Sequence, residues 1–204
     1  MSPYRPTQRQ SASEGTQARI VDAARDLLAD PDAPVDFTVD AVARRAGVSR
    51  MTVYYQFGGR AALLEAVLDN LADRFGLTPE IAAAMLRLTP GAALDQVVAV
   101  FCGFWAAHRL AIRRLRAMAV LDPELAGVFR DERRRMLITA ALNRGDSPAA
   151  APASESVIDL LLVLTSFESY DSLASGSADD AAIVALLQRA CALVVSADPP
   201  QLAK

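Results

Sequence analysis

The segment TVDAVARRAGVSRMTVYYQFGGRAALL, residues 38–64, organises everything around it. Thr38 precedes an apolar set at Val39, Val42, Ala43 and Ala46, the i, i+3, i+4, i+7 spacing of one helix face, and its hydroxyl suits a helix N-cap. Arg44 and Arg45 fall near the end of that helix, where cations complement its dipole. Gly47 follows, free to take a left-handed conformation that would strain any other residue in the stretch. Ser49 then caps a second, short helix running through Tyr55, which the pair Gly58-Gly59 ends. Small residues where two helices meet, a glycine at the corner and a polar outer face on the second helix are the requirements of a helix-turn-helix.

Working outward, Ile20, Val21, Ala23, Ala24, Leu27 and Leu28 lie on one face of a helix from about residue 16 to 29, which Asp30, Pro31, Asp32 and Pro34 stop. Residues 1–15 are polar, without hydrophobic period, and read as a flexible tail; 198–204 read as a second tail. On the carboxyl side, a helix over 60–75 turns Leu63, Leu64, Val67, Leu68, Leu71 and Phe75 inward and connects to a larger region. There the spacing predicts helices at roughly 79–88, 92–107, 109–120, 123–143, 155–174 and 179–196, with a mobile loop between 143 and 155. The expected domains are therefore 16–60 and 61–197. Alanine dominates the composition and aromatics are only 6% of 204 residues, which favours helix over strand. The fold class is all-α: an amino-terminal three-helix helix-turn-helix domain followed by a larger helical bundle.

The bulk net charge of -3 argues against a coat-like nucleic-acid binder. Its distribution argues for a local one. Residues 38–60 hold four arginines and one acid, Asp40, whereas residues 61–204 hold 13 basic and 17 acidic side chains. The acidic loop with Asp30, Asp32 and Asp36 is expected to face away from a duplex. On the second helix Val48, Val53 and Phe57 point inward. Outward, Arg50 can donate two hydrogen bonds to a guanine edge, Thr52 offers a methyl and a hydroxyl, and Tyr54 and Tyr55 can donate to phosphate.

In the stretch from Ala18 to Leu64, the alanine-rich first helix, Thr38, AGVS at 46–49, Thr52 and Tyr54, the Tyr-x-Phe exit at 55–57 and the Leu63-Leu64 pair agree in register with one pattern, and the segment resembles the amino-terminal domain of TetR-family transcriptional regulators. The resemblance implies that Thr38, Ser49 and Tyr55 hold phosphates, that Arg50, Met51, Thr52 and Tyr54 lie against the major groove, and that Arg60, at the start of the next helix where the family has Lys, contacts the backbone of a palindromic operator. It also implies a ligand-responsive regulator, a repressor released by a small-molecule effector. The family's usual glycine before the second helix is absent, and the connection DPDAPVDF is longer and more acidic than usual.

In the second region Phe101, Trp105, His108 and Ile112 recur at i, i+4, i+7 and i+11, within about 60° on one face of a continuous helix. Such a stripe serves a core more often than a pocket. As an effector cavity it would be lined by Phe101, Trp105, Met118, Met136 and Phe129, with His108 supplying a hydrogen bond. Arginines 113, 114, 116, 130, 133, 134 and 135 read as a solvated face, with Asp131 and Arg135 paired at i, i+4. The last two predicted helices, carrying VIDLLLVLTSF and AAIVALLQRACALVV, are apolar enough to pair with a second copy.

Cys102 and Cys191 belong to no CxxC pair, and no metal-ligand spacing is present, so neither metal nor cofactor is expected. No apolar leader is present, and the run Val97 to Ala107 is about half a membrane span, so the expectation is a cytoplasmic protein without membrane contact. No GxSxG, Walker loop, HExxH or dinucleotide fingerprint occurs, and Cys102 lies about 120° around the helix from His108, so no enzyme is expected. The alternative is a helical small-molecule-binding or scaffolding protein without specific DNA binding.

Overall fold

The computed structural model describes residues 8–32, 37–87, 89–129, 131–143, 153–176 and 179–197. All regular structure among them is helical. The described parts of 1–71 and 110–129 form one compact unit, and those of 72–109 and 130–204 form another.

The first unit contains α1 (Gln8–Ala29), α2 (Val39–Ala46), α3 (Arg50–Phe57), the part of α4 (Arg60–Phe75) up to Leu71, and most of α7 (Arg109–Leu121). Helix α1 begins at Gln8, inside the stretch expected to be a tail; residues 1–7 lie outside the described residues. Residues 12–15 are exposed, and Ser13 exchanges hydrogen bonds with Gln56 of α3 at 3.2–3.3 Å. Further along, Ile20, Val21, Ala23, Ala24 and Leu28 are buried, with Val42 and Ala43 of α2, Val53 of α3 and Leu63, Leu64 and Val67 of α4. Each large aliphatic side chain taken from water contributes about 1.5–3 kcal/mol. Val48 and Phe57, expected inside, are half-buried.

Helix α7 joins this core through Ala111, Ile112 and Leu115, and through Arg114. The Arg114 guanidinium donates to the carbonyls of Leu27 (3.1 Å) and Asp30 (2.8 Å) at the open end of α1. Those carbonyls lack intrahelical partners, so a cation there satisfies them and complements the helix dipole. A 3-10 turn at Pro123–Phe129 follows, started by the Leu125 N–H bonding to the Asp122 carbonyl at 3.0 Å. The predicted helix over 123–143 is therefore two elements, the second being α8 (Glu132–Leu142).

The second unit is built on α6 (Pro90–Ala107), which packs against α5 (Leu77–Arg87), α8, α10 (Phe167–Ser175) and α11 (Asp180–Ser196). Helix α9 (Glu155–Leu164) packs against α8, α10 and α11. The stretch predicted as one helix over 155–174 breaks at Thr165. Its hydroxyl donates back to the Leu161 carbonyl at 2.8 Å, and Ser166 caps α10 by accepting the Ser169 N–H at 3.2 Å. Two adjacent hydroxyls thus satisfy the carbonyl end of one helix and the amide end of the next. Tyr170 is buried and donates to Asp180 at 2.6 Å; burial pushes its phenol up to about 12.

The arginine-rich face is less solvated than expected. Arg134 is buried and pairs with Asp131 at 2.8 Å, in place of the expected Asp131–Arg135 pair, and Arg135 turns to Glu155 and Asp159 of α9. The predicted loop between 143 and 155 falls mostly on residues 144–152, and the carboxyl-terminal tail on 198–204; both lie outside the described residues. Among the described residues no single helix is long and apolar enough to cross a membrane.

Candidate nucleic-acid interface

Thr38 is extended (φ -122°, ψ 149°), and its hydroxyl oxygen accepts the Ala41 N–H at 3.2 Å. Gly47 closes α2 in the left-handed region (φ 67°, ψ 35°), and the Val48 N–H bonds back to the Ala43 carbonyl at 3.0 Å. Ser49 then caps α3, accepting the Thr52 N–H at 3.0 Å. Gly58, at φ 73°, ends α3 with its N–H on the Tyr54 carbonyl at 2.8 Å. The turn is thus set by hydrogen bonds spanning three to five residues. A cap hydroxyl that accepts from the backbone keeps its proton, so Thr38 can still donate to a phosphate. Ser49 and Thr52 share one proton across 2.8 Å, leaving the other hydroxyl proton for an outside acceptor.

Val53, 2% exposed, fastens α3 to the core, and its neighbours Thr52 and Tyr54 are half-buried. Met51 is 73% and Tyr55 86% exposed. Arg50 projects from the first turn of α3. Its Nη1 donates to Asp40 of α2 at 3.1 Å, its Nη2 donates to the Tyr54 hydroxyl at 3.3 Å, and its guanidinium lies 5.4 Å from the Tyr54 ring centre. Thr38, Ser49, Arg50, Met51, Thr52, Tyr54 and Tyr55 are all on α3 or at the caps of α2 and α3.

Arg60 differs. It is the first residue of α4, but its side chain is about two-thirds covered, with Nη1 donating to Asp122 at 3.3 Å and Nη2 to the Met118 sulfur at 2.9 Å. Two residues expected at separate sites, one on DNA and one in an effector cavity, touch each other. Sequence reasoning had no signal for this, because the contact spans 58 residues.

In the second unit the aromatic side chains gather without a continuous stripe. Helix α6 ends at Ala107, His108 is its C-cap with φ -121° and ψ 20°, and a new helix starts at Arg109, so Ile112 does not extend the face of Phe101 and Trp105. Phe101 stacks on Trp105 at 5.9 Å between ring centres, and the rings of Phe104 and His108 meet edge-on at 5.1 Å. Trp105 also meets Phe104 at 5.1 Å and Phe167 at 5.8 Å, and its indole N–H donates to the Thr165 carbonyl at 3.1 Å. Met136 is 62% exposed on α8, and Met118 is on α7 beside Arg60. Sequence reasoning missed Phe104 and Phe167. Phe104 was legible, being i+3 from Phe101 and i-4 from His108 on the same helix; Phe167 was not, since its partner is 62 residues away.

The family description "Bacterial regulatory proteins, tetR family" matches residues 20–67, the segment holding the last turns of the α1 face, both caps and α3. The regulator TtgW of Pseudomonas putida is 44% identical over 64 residues, 30% of this chain and 47% of TtgW, so the match spans about half the length of that relative. The fold is shared with a putative TetR-family regulator from Rhodococcus sp. (TM-score 0.65, 21% identity, over 89% of this chain and 99% of that one). The TetR-like regulator LfrR from Mycobacterium smegmatis, in complex with proflavine, superposes with a TM-score of 0.53 at 25% identity, over 89% of this chain and 96% of LfrR. Through the helix-turn-helix of α2 and α3, residues 20–67 are thus similar to the DNA-binding segment of TetR-family regulators, and the fold around them is the one those regulators share.

Proposed function

We propose that the protein binds a palindromic DNA operator as a homodimer, with α3 in the major groove, and that a small-molecule effector releases it, so that it acts as a repressor. The observation that carries this is the face of α3 behind the Ser49 cap, where Arg50, Met51 and Tyr55 are exposed and Thr52 and Tyr54 half-buried, with the Thr38 cap at the start of the preceding helix. Arg50 suits a guanine edge, Met51 and the Thr52 methyl suit a thymine methyl, and Thr38, Ser49 and Tyr55 suit phosphates. Arg60 reaches a phosphate on leaving Asp122, an exchange of one anion for another at the amino end of α4.

Dimerisation is supported by apolar side chains left in water on two neighbouring helices: Leu160 and Val163 of α9, Leu186 and Leu193 of α11. A second copy covering them by two-fold symmetry sets two α3 helices against successive major grooves, ~34 Å apart. The effector site centres on Phe101, Trp105 and His108, with Phe104 and Phe167 beside them; the proflavine held by LfrR supports a small molecule as the ligand of such a bundle. Met118 and Met136 enter that reading only if a ligand recruits them. A ligand that prefers the wider spacing of the two heads shifts the population toward it, and DNA affinity falls by the same coupling free energy.

The test is selection of bound duplexes from a random-sequence pool by the full chain, with sedimentation of the free protein and of the complex. Enrichment of an inverted repeat with half-site centres one helical turn apart, bound by two chains, is the expected result. A folded protein that enriches no sequence overturns the reading and favours a helical ligand-binding or scaffolding role.

A further inference from the structure

We infer that Asp40 is a specificity-determining residue: its carboxylate positions the Arg50 guanidinium for base reading and so sets which base is accepted under α3. The inference rests on the DNA-binding reading above. Arg50 is in the first turn of a helix, where the exposed amide ends disfavour a cation, and its side chain is 57% exposed, so nothing in the core fixes its rotamer. Three contacts restrict it. Asp40 takes Nη1 from the side of α2, the Tyr54 hydroxyl takes Nη2 one turn further along α3, and the Tyr54 ring supports the cation. A guanidinium has five donors; two are engaged here, and three remain for a purine edge.

Asp40 is the one acid between residues 38 and 60. At the amino end of α2 a carboxylate suits the helix dipole, which accounts for an acid at this place in the sequence. It does not account for the carboxylate bonding across to another helix. On a surface meant for phosphates a bare carboxylate repels the duplex, and pairing with Arg50 cancels that charge while holding the arginine still. Because both partners are exposed, the pair adds little to folding. Its value is preorganisation: the reading group reaches the base without first giving up rotamer freedom.

The experiment repeats the random-duplex selection with the full chain of wild type, Asp40→Ala, Arg50→Ala and the double variant. Wild type is expected to enrich one inverted repeat. Arg50→Ala is expected to lose base preference at one position in each half-site, and Asp40→Ala to weaken preference at that same position by about five-fold or more, with other positions unchanged and affinity for random-sequence duplex not reduced. The double variant is expected to match Arg50→Ala. A merely structural role would change affinity at all positions together. A selective wild type whose Asp40→Ala variant keeps every base preference overturns this inference alone. So does an Asp40→Ala effect at a different position, or one that persists without Arg50, since the carboxylate would then be reading a cytosine amino group directly. A wild type that selects nothing overturns the DNA-binding reading itself, and this inference with it.

Discussion

The α2–α3 turn and the aromatic cluster on α6 hold their side chains in place by different means. In the turn, Thr38, Gly47, Ser49 and Gly58 close hydrogen bonds to backbone groups at most five residues away, leaving α3 with Val53 as its buried anchor. The cluster adds distant partners to its local ring contacts: Trp105 meets Thr165 and Phe167, and Arg109, one residue past the α6 cap, is held by Asp171 and Ser175. A recognition element benefits from the first arrangement, because its outer face can vary without disturbing the backbone that aims it. A cluster held by distant partners couples any change in one ring to several helices.

The largest expected effect tests the cluster. Phe104 is 5% exposed and touches Phe75, Trp105 and His108, so Phe104→Ala is expected to destabilise by about 3–5 kcal/mol, read as a lower urea midpoint at unchanged slope. A loss under about 1 kcal/mol would mean that the cluster tolerates a void, and the contrast with the turn would collapse.

Next comes the turn. A Cβ at Gly47 meets nothing within 4 Å, so Gly47→Ala pays only for its positive φ. That cost is about 1–2 kcal/mol, again measured by urea unfolding, and Gly47→Asn is expected to recover part of it because Asn tolerates the left-handed region. A larger loss with Ala would reveal a steric role at the corner that the open space does not suggest.

The smallest effect at neutral pH concerns the two thiols of the second unit. Burial pushes Cys102 from 9.0 up to about 12 and Cys191 up to about 11. The folded chain therefore favours the neutral thiols. Stability is untouched below pH 9 and declines as pH rises from there toward 12, the interval in which the unfolded thiols are already ionised. Alkylation by iodoacetamide at pH 8 is expected to be slow in the folded protein and fast in urea. Equal rates in both would place the cluster's surroundings in solvent.

These contrasts explain what the sequence carried openly. Caps, glycines and a four-residue apolar period are local, so α2, α3 and their outward residues could be read from TVDAVARRAGVSRMTVYYQF alone. The breaks at Thr165 and after Phe129 were harder, because apolar spacing continues through both, and at Thr165 only the hydroxyl pair decides that the helix stops. Contacts across scores of residues left no trace: Arg60 with Met118, Arg114 on the end of α1. An arginine's length lets it end in water, on a carbonyl or in a core, and its neighbours in the chain do not determine which.

The clamp of Arg114 on the end of α1 also sets an order of events during synthesis. The amino-terminal unit is not contiguous: it needs residues 110–129, which leave the ribosome only after all of 72–109. Helices α1 to α3 can form early, but the open carbonyls of Leu27 and Asp30 wait for Arg114, and Arg60 waits for Met118 and Asp122. The helix-turn-helix is thus completed by a stretch translated long after it, and a nascent chain stalled before residue 110 holds α3 on an unfinished support.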